Sequence, residues 1–391
     1  MMQHARAHRR TWPRAVGLAA VGVLVFGAAV AAAVYRELQS NIGEVDLTGL
    51  VGDESARPEV TEPPPGDARA GTPVNLLIIG SDDRSGENAT LGGEEEGMQS
   101  DTTIVAHVAA DRSRVELVSI PRDLLADRPS CTMSDGSTTP ARADRQVNEA
   151  FRTGWDHGHD VESASACTWK TVELLTGVRL DGLVLVDFVG LRDMVDAIGG
   201  VPICLPTDLD DPEYTGLHVK AGPQVFNGTT AVQFARARHN IGDGSDTGRI
   251  TRQQDLMAAM VRSVLSRDVL TSPTALFQFA QAATGSLTAS TGFRDLTDLT
   301  GFGLSLRGVQ ADRIVFVSMP TVASTRQRYR VEGTSEAAEL WARIAADQPV
   351  GEAPAPPVEP AGTAAPPPVV ETPWTPPGGV LTSADDSSTC G

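Results

Sequence analysis

The chain has 391 residues, 41% of them hydrophobic, and a formal net charge of −18. That length allows two ordinary domains or one large domain with tails, and the apolar share suffices for a substantial core. The negative balance argues against nucleic acid as the main partner, because that affinity rests on phosphate neutralisation by Lys and Arg.

The first element is the clearest. Arg6, Arg9, Arg10 and Arg14 precede an apolar run, Ala15 to Tyr35, that meets no charge until Arg36. A helix over this run spans roughly 30 Å, the thickness of a bilayer core. Basic residues on its N-terminal side put residues 1–14 in the cytoplasm and everything after Arg36 outside. A cleaved signal peptide is the alternative, with Ala31 to Ala33 permitting cleavage. The run is longer than a usual signal core, so an uncleaved anchor over 15–35 is the expectation; both readings export the rest. Residues 36–73 are polar and Pro-bearing, as a spacer would be.

Residues 74–347 carry a mixed pattern. "VNLLIIG" is a short continuous apolar run ending in Gly, as a buried strand would be. "TTIVAHVA" and "VELVSIP" read as two further strands. "SASACTWKTVELLTG" has helical spacing and a Gly stop at Gly177. "LVLVDF" reads as a strand, "VGLRDMVDAIGG" as a helix and "VPICL" as a strand. "GTTAVQFARAR" and the long amphipathic "GRITRQQDLMAAMVRSVLSR" are predicted helices, with two more near Ala275–Ala283 and Leu296–Leu306. "RIVFVSM" is a late strand and "SEAAELWARIAA" a closing helix. Strands alternating with helices predict a three-layer α/β/α sandwich with a mixed central sheet, preceded by one transmembrane helix. Residues 348–391, rich in Pro, Ala and Thr, have little to bury and are expected to be disordered.

The four cysteines match no zinc or thioredoxin spacing. In an exported chain Cys131–Cys167 is the expected disulfide, since both fall in a loop-rich insert, while Cys204 reads as a buried small hydrophobe. His107, His157, His159, His218 and His239 form no metal pattern, and there is no P-loop or nucleophile elbow.

Charged residues cluster where strands end. "GSDDR" supplies Asp82, Asp83 and Arg84; "QSD" supplies Asp101; "SIPRD" supplies Arg122 and Asp123. Ligands of open α/β sheets collect at strand ends. Carboxylates gathered there suit a hard cation such as Mg²⁺, and arginines hold phosphate bidentately. The run "RARHNIGDGSDTGRITRQQ", Arg236 to Gln254, adds more. Because Lys170 and Lys220 are the only lysines among 32 basic residues, a single Arg says little and only its clustering is informative. Arg236 and Arg238 would diverge on a continuing helix. The reading that makes both useful is that the helix stops there.

The order of these pieces resembles the LytR–CpsA–Psr family of cell-envelope glycopolymer transferases, over about Val74 to Arg267. The resemblance implies transfer of a glycopolymer, such as teichoic acid, from a polyprenyl-pyrophosphate lipid to peptidoglycan outside the membrane, by Mg²⁺-dependent phosphotransfer, with Mn²⁺ as the substitute metal. It makes Asp82 and Asp101 the metal ligands. Arg84, Arg122, Arg236, Arg238, Arg249 and Gln253 become the pyrophosphate contacts. Asp82, Arg122, Arg236 and Arg238 are the expected catalytic set, and Asp246 stands where it would orient Arg249. A polyprenyl chain needs a dry groove, which the helix from Ile250 to Leu265 would line through Leu256, Met257, Met260, Val261 and Val264; packing on the sheet is the plain alternative.

Three departures stand out. Gln99 and Gln146 occupy positions where the family often has a cation, leaving Arg84 or Arg145 as replacements between which the sequence does not choose. The segment between Asp82 and Asp101 is lengthened and carries Glu94 to Glu96, an acidic loop overhanging the site. Two other readings stand beside this one: a lipid-pyrophosphate hydrolase that uses the same residues with water as acceptor, and a non-catalytic envelope regulator.

Overall fold

The computed structural model describes residues 12–52, 57, 71–93, 97–238, 241, 246–266, 272–350 and 381–383. The chain begins with helix α1, Trp12–Asn41, and enters strand β1, Gly43–Val45. The next strands are β2 (Val74–Ser81), β3 (Ser100–Val108) and β4 (Val115–Ile120). A ribbon of β5 (Leu125–Arg128) and β6 (Arg142–Gln146) leads into helices α2 (Glu149–Gly158) and α3 (Val161–Thr176). Strand β7 (Gly182–Val186), helix α4 (Phe188–Ala197), strands β8 (Val201–Leu205) and β9 (Gly222–Phe226), and helices α5 (Gly228–Arg236) and α6 (Asp246–Ser266) follow. The described chain closes with α7 (Pro273–Ser286), β10 (Leu287–Ser290), α8 (Leu296–Ser305), β11 (Ile314–Ser318), α9 (Ser335–Ala345) and β12 (Leu381–Thr382).

Eight strands form one mixed sheet in the order β1-β10-β7-β2-β3-β4-β11-β12. Three pairs are parallel (β1 with β10, β7 with β2, β4 with β11) and the other four antiparallel. The period-2 alternation of β2 divides its side chains between two apolar layers. Leu77 and Ile79 join Val105 and Val118 against Ala164 and Val172 of α3 and Leu340 and Trp341 of α9. On the opposite face a second core forms from Val195 of α4, Phe226 of β9, Phe234 of α5 and Leu256 and Ala259 of α6. The three-layer expectation is met.

Local chemistry explains the boundaries. Asp160 caps α3 by accepting the Ser163 N–H at 2.6 Å, and Gly177 ends it with φ of 66°. Asp187 caps α4 through the Gly190 N–H at 2.7 Å, and Asn227 caps α5 through the Thr230 N–H at 2.9 Å. Such caps satisfy amides that a helix start leaves open.

Four expectations need correction. Residues 36–73 are not spacer throughout: α1 runs to Asn41, β1 is hydrogen-bonded into the sheet, and Val45 and Leu47 are buried in its core. "VPICL" is a strand, but it pairs with β9 in a separate two-stranded ribbon rather than in the sheet. In the tail, Val350 is buried in the core and Leu381–Thr382 forms an edge strand on β11; residues 351–380 and 384–391 lie outside the described residues, as does the acidic loop Glu94–Glu96. Cys131 and Cys167 are bonded as expected, with Cα atoms 5.1 Å apart, although Cys167 sits within α3 rather than in a loop. Cys204 is half-buried and disulfide-bonded, not a simple buried hydrophobe.

Candidate active site

The site is built at the end of β2, β3 and β4. Pairing of β2 with β3 matches Gly80 to Thr102 and Ser81 to Ser100, so Asp101 is the extra residue of a bulge. A bulge re-aims the side chain it carries. Thr103 pairs with Ile120 across β3 and β4, which brings Arg122 level with Asp101. The Arg122 Nη1 donates to Asp101 Oδ1 at 2.7 Å.

Helix α6 completes the cluster from the other side. Asp246 stands in its first turn and Arg249 one turn later. Arg249 Nη2 donates to Asp246 Oδ1 at 2.7 Å and to the Asp101 carbonyl at 2.9 Å, while its Nη1 lies 3.4 Å from Asp101 Oδ1. Arg122 Nε lies 3.2 Å from Asp246 Oδ1. Burial works against charge on Asp101, yet Arg249, Arg122 and Arg236 outweigh it and hold the carboxyl below the ordinary carboxylate range. Burial likewise opposes charge on Arg122, and Asp101 and Asp246 hold its guanidinium above its ordinary range.

Asp82 is clamped by Gln99: its N–H donates to the Gln99 carbonyl at 3.0 Å, and its Oδ1 accepts the Gln99 N–H at 2.5 Å. Arg84 Nη2 lies 3.9 Å from Asp82 Oδ2.

Arg236 is differently placed. It ends α5, where Ala237 turns to φ −57° and ψ 130°. Its guanidinium donates to the carbonyls of Leu91 (2.5 Å) and Gly92 (3.1 Å), and lies over the Phe188 ring at 4.7 Å. No carboxylate pairs with it among the described residues. Burial, then the neighbouring charge of Arg84, push this guanidinium below its ordinary range. Gly92 has no side chain because none fits: an added Cβ would lie 2.9 Å from the Phe188 ring.

Arg236, Asp101, Arg249 and Gln253 stand on the wall of a cavity of about 200 Å³. The rest of its lining is mostly apolar, including Ile78, Ile104, Phe188, Leu191, Met257 and Met260. Gln253 also donates to the Ala235 carbonyl at 3.2 Å, tying α6 to the end of α5.

The sequence-derived set is thus largely gathered. Asp82, Arg84, Asp101, Arg122, Arg236, Arg249 and Gln253 are brought together, and Asp246 orients Arg249 as expected. Arg238 lies just beyond the end of α5, where its N–H donates to Asp211 Oδ2 at 3.3 Å. Of the two replacement cations, Arg84 stands in the site, whereas Arg145 pairs with Glu149 at 2.6 Å on the β5–β6 ribbon. Leu256, Met257 and Met260 line the cavity, while Val264 packs in the core under α6. Sequence reasoning missed Phe188 and the carbonyls of Leu91 and Gly92, which hold Arg236. A Phe at a strand–helix junction looks like any core residue, and carbonyls leave no sequence mark.

The mixed sheet thus carries an arginine–carboxylate cluster at its strand ends and an apolar cavity beside it. The LytR_cpsA_psr family model matches residues 45–344, and the chain belongs to that family. The chain is 30% identical over 291 residues to the cell wall biosynthesis protein LcpA of Corynebacterium glutamicum, covering 70% of this chain and 54% of LcpA. It is 30% identical over 193 residues to the polyisoprenyl-teichoic acid–peptidoglycan teichoic acid transferase TagV of Bacillus subtilis, covering 48% of this chain and 43% of TagV. The chain spans about half the length of these curated relatives. Among solved structures, Bacillus subtilis TagV aligns with a TM-score of 0.52 at 21% identity over 71% of this chain and 99% of TagV. The LytR-Csp2A-Psr enzyme from Actinomyces oris aligns at 0.52 and 21% over 78% of this chain and 96% of that enzyme. A TagT structure bound to LI-WTA aligns at 0.51 and 16% over 74% of this chain and 96% of TagT.

Proposed function

We propose that this protein transfers a glycopolymer from a polyprenyl-pyrophosphate lipid to a peptidoglycan hydroxyl at the outer face of the cell membrane. One observation carries the reading: Arg236, a cation without a carboxylate partner among the described residues, stands on the rim of an apolar cavity beside the paired Arg122 and Arg249. A ligand that satisfies both surfaces is an anion with a hydrocarbon tail. The names of relatives that transfer polyisoprenyl-linked teichoic acid support the same substrate class.

In this reading the prenyl chain lies in the cavity against Phe188, Leu191, Met257 and Met260, and the diphosphate meets Arg236, Arg122 and Arg249. The acceptor hydroxyl attacks the phosphorus that carries the glycopolymer. The bond to the bridging oxygen breaks, and lipid monophosphate leaves with the electron pair. Charge builds on the phosphoryl oxygens and on the departing phosphate, where the guanidinium groups stabilise it. Asp82, oriented by the Gln99 N–H and Arg84, orients the acceptor hydroxyl and takes its proton.

Mg²⁺ fits the residues present. The described residues hold no group of three or more metal-ligating side chains. That suits a cation that takes one or two protein carboxylates and leaves its other positions to water and phosphate oxygens. Asp82 and Asp101 would hold it, and the buried Asp246 Oδ2, which accepts no hydrogen bond, is a further acceptor at the cluster. The ion, when bound, would neutralise diphosphate charge.

The test is incubation of the full-length protein with a lipid-linked glycopolymer, with and without peptidoglycan fragments. The expected result is a joined product that appears only with the fragments. Free phosphorylated polymer alone, in equal amount either way, would convert the assignment to a lipid-pyrophosphate hydrolase. No turnover, with wild-type cell phenotype retained by Asp82→Ala and Arg122→Ala, would leave the regulator.

A further inference from the structure

A second cationic pocket lies beside the β5–β6 ribbon, with a volume of about 430 Å³. Its walls include Arg128, Thr139, Arg142, Arg145, Glu149 and His157. Arg128 is only 7% exposed. Its guanidinium donates to neutral atoms: Thr139 Oγ1 at 3.0 Å, the Pro140 carbonyl at 3.1 Å and Cys131 Sγ at 3.8 Å. Arg142 stands opposite Arg128 in the ribbon register and makes no hydrogen bond or ion pair among the described residues. Of the two carboxylates beside the pocket, Glu149 is taken by Arg145 at 2.6 Å, and Asp144 by Arg326 at 2.5 Å. Burial, then the charges of Arg142 and Arg145, push the Arg128 guanidinium below its ordinary range. A buried cation facing like charges is unfavourable unless an anion completes it. In a chain of net charge −18, Arg128 and Arg142 thus stand together with no carboxylate paired to either among the described residues.

Position indicates which anion. Strand β5 begins just beyond Arg122 and Asp123, and Gln146 Nε2 ties the ribbon foot to Asp123 Oδ1 at 2.9 Å. At about 3.3 Å per residue, Arg128 is within roughly 20 Å of Arg122. Leu124, Ala126 and Val147 pack in the core beneath α3 and α9, whereas the apolar cavity opens on the α4–α6 face. In-line displacement sets the attacking and leaving oxygens on opposite sides of phosphorus. With the lipid phosphate departing toward the cavity, the acceptor approaches from the ribbon side.

We propose that the Arg128–Arg142–Arg145 pocket binds free carboxylates of the peptide stems carried by the peptidoglycan acceptor, an inference that rests on the phosphotransfer reading above. It makes the pocket an acceptor-recognition site, separate from the residues that hold the diphosphate.

The test measures binding of a disaccharide-peptide fragment of peptidoglycan, as free acid and as full amide, to full-length protein in detergent by calorimetry. Wild type binds the acid about tenfold tighter than the amide, the size of one charge-assisted hydrogen bond. Arg142→Glu, an exposed change that spares the buried Arg128, removes the preference. Arg152→Glu, the same charge change at an exposed α2 residue paired with Asp156, keeps it. Equal binding of acid and amide by wild type, or equal loss in both variants, overturns the pocket. So does displacement of the fragment from wild type by a lipid-free anionic glycopolymer, which would assign the pocket to the donor. Donor turnover, followed in the same preparation, separates the two readings: turnover without acid-selective binding sinks the pocket alone, and acid-selective binding without turnover sinks the phosphotransfer reading alone.

Discussion

Asp101 and Asp246 come from different elements, and each sets one carboxylate oxygen between the same two guanidinium groups, those of Arg122 and Arg249. The four side chains close a ring of alternating charge that pins the first turn of α6 to the ends of β3 and β4. Its members are held before substrate arrives, so stabilising a developing charge requires little reorganisation. Arg236, outside the ring and stacked on Phe188, pairs directly with no carboxylate among the described residues.

In the proposed reaction Arg122 supplies one of the guanidinium groups that meet the diphosphate. Arg122→Ala is expected to lower turnover of a lipid-linked donor by about 10²–10³-fold, the usual effect of deleting one preorganised donor. Release of lipid monophosphate measures it. A drop smaller than tenfold would place Arg122 in a structural role. Asp246→Asn should act more weakly, since it touches the substrate only through Arg122 and Arg249, and it should lower kcat more than it raises KM.

Acid should dissolve the ring at a defined point. The Asp101 carboxyl is depressed in the folded protein from an ordinary value of 3.8. A depressed carboxylate contributes stability that is fully present well above that value and is lost as pH falls below it. The urea midpoint of wild type should therefore exceed that of Asp101→Asn by a constant margin from pH 8 to about 5, and the margin should shrink toward pH 3. A margin that grows with acid would contradict the assignment.

Filling the cavity should discriminate between lipids. Met257→Trp places a larger side chain on the wall shared by Met260 and Phe188. The expected result is a KM raised about tenfold for a long-prenyl donor, roughly two buried methylenes' worth of contact, with little change for a short-chain donor. Equal effects on both donors would mean that the cavity does not hold the chain.

The Cys131–Cys167 bond closes a segment of 36 residues. Chain-entropy arguments give such a closure about 4 kcal/mol. The Cys131→Ala/Cys167→Ala pair should unfold at markedly lower urea, and Cys131→Ala alone should destabilise to a similar extent. Thermal or urea unfolding of the protein checks this.

Much of the scaffold was legible because β2, β3 and β4 are continuous apolar runs bounded by Gly, Pro or charge, and because Asp160 and Gly177 mark their helix ends chemically. Strand β10 was not: "LTAS" has no apolar alternation, and it is a strand only because β1 and β7 flank it from distant parts of the chain. Motif spacing pointed to the right acids and arginines, but not to their bonding. That Asp101 is the bulged residue depends on the β2–β3 register, and that the helix stops at Arg236 depends on the extended turn at Ala237. The Gln99 substitution looked like a lost contact. Its backbone, invisible to a side-chain comparison, is what grips Asp82.

Only the buried Ile42 separates α1 from β1. Helix α1 contains Ala19–Asn41, the described span long and apolar enough to cross a bilayer. In its C-terminal turns, Tyr35 Oη meets Thr297 Oγ1 at 3.2 Å, and Gln39 Oε1 accepts the Leu296 N–H at 2.8 Å. The body of the protein is therefore bolted to its mast and cannot swivel on a leash. In the membrane-anchored reading proposed above, any tilt that the surrounding lipid imposes on the mast would become the aim of the cavity mouth, so membrane thickness would act on how a lipid-borne substrate is presented.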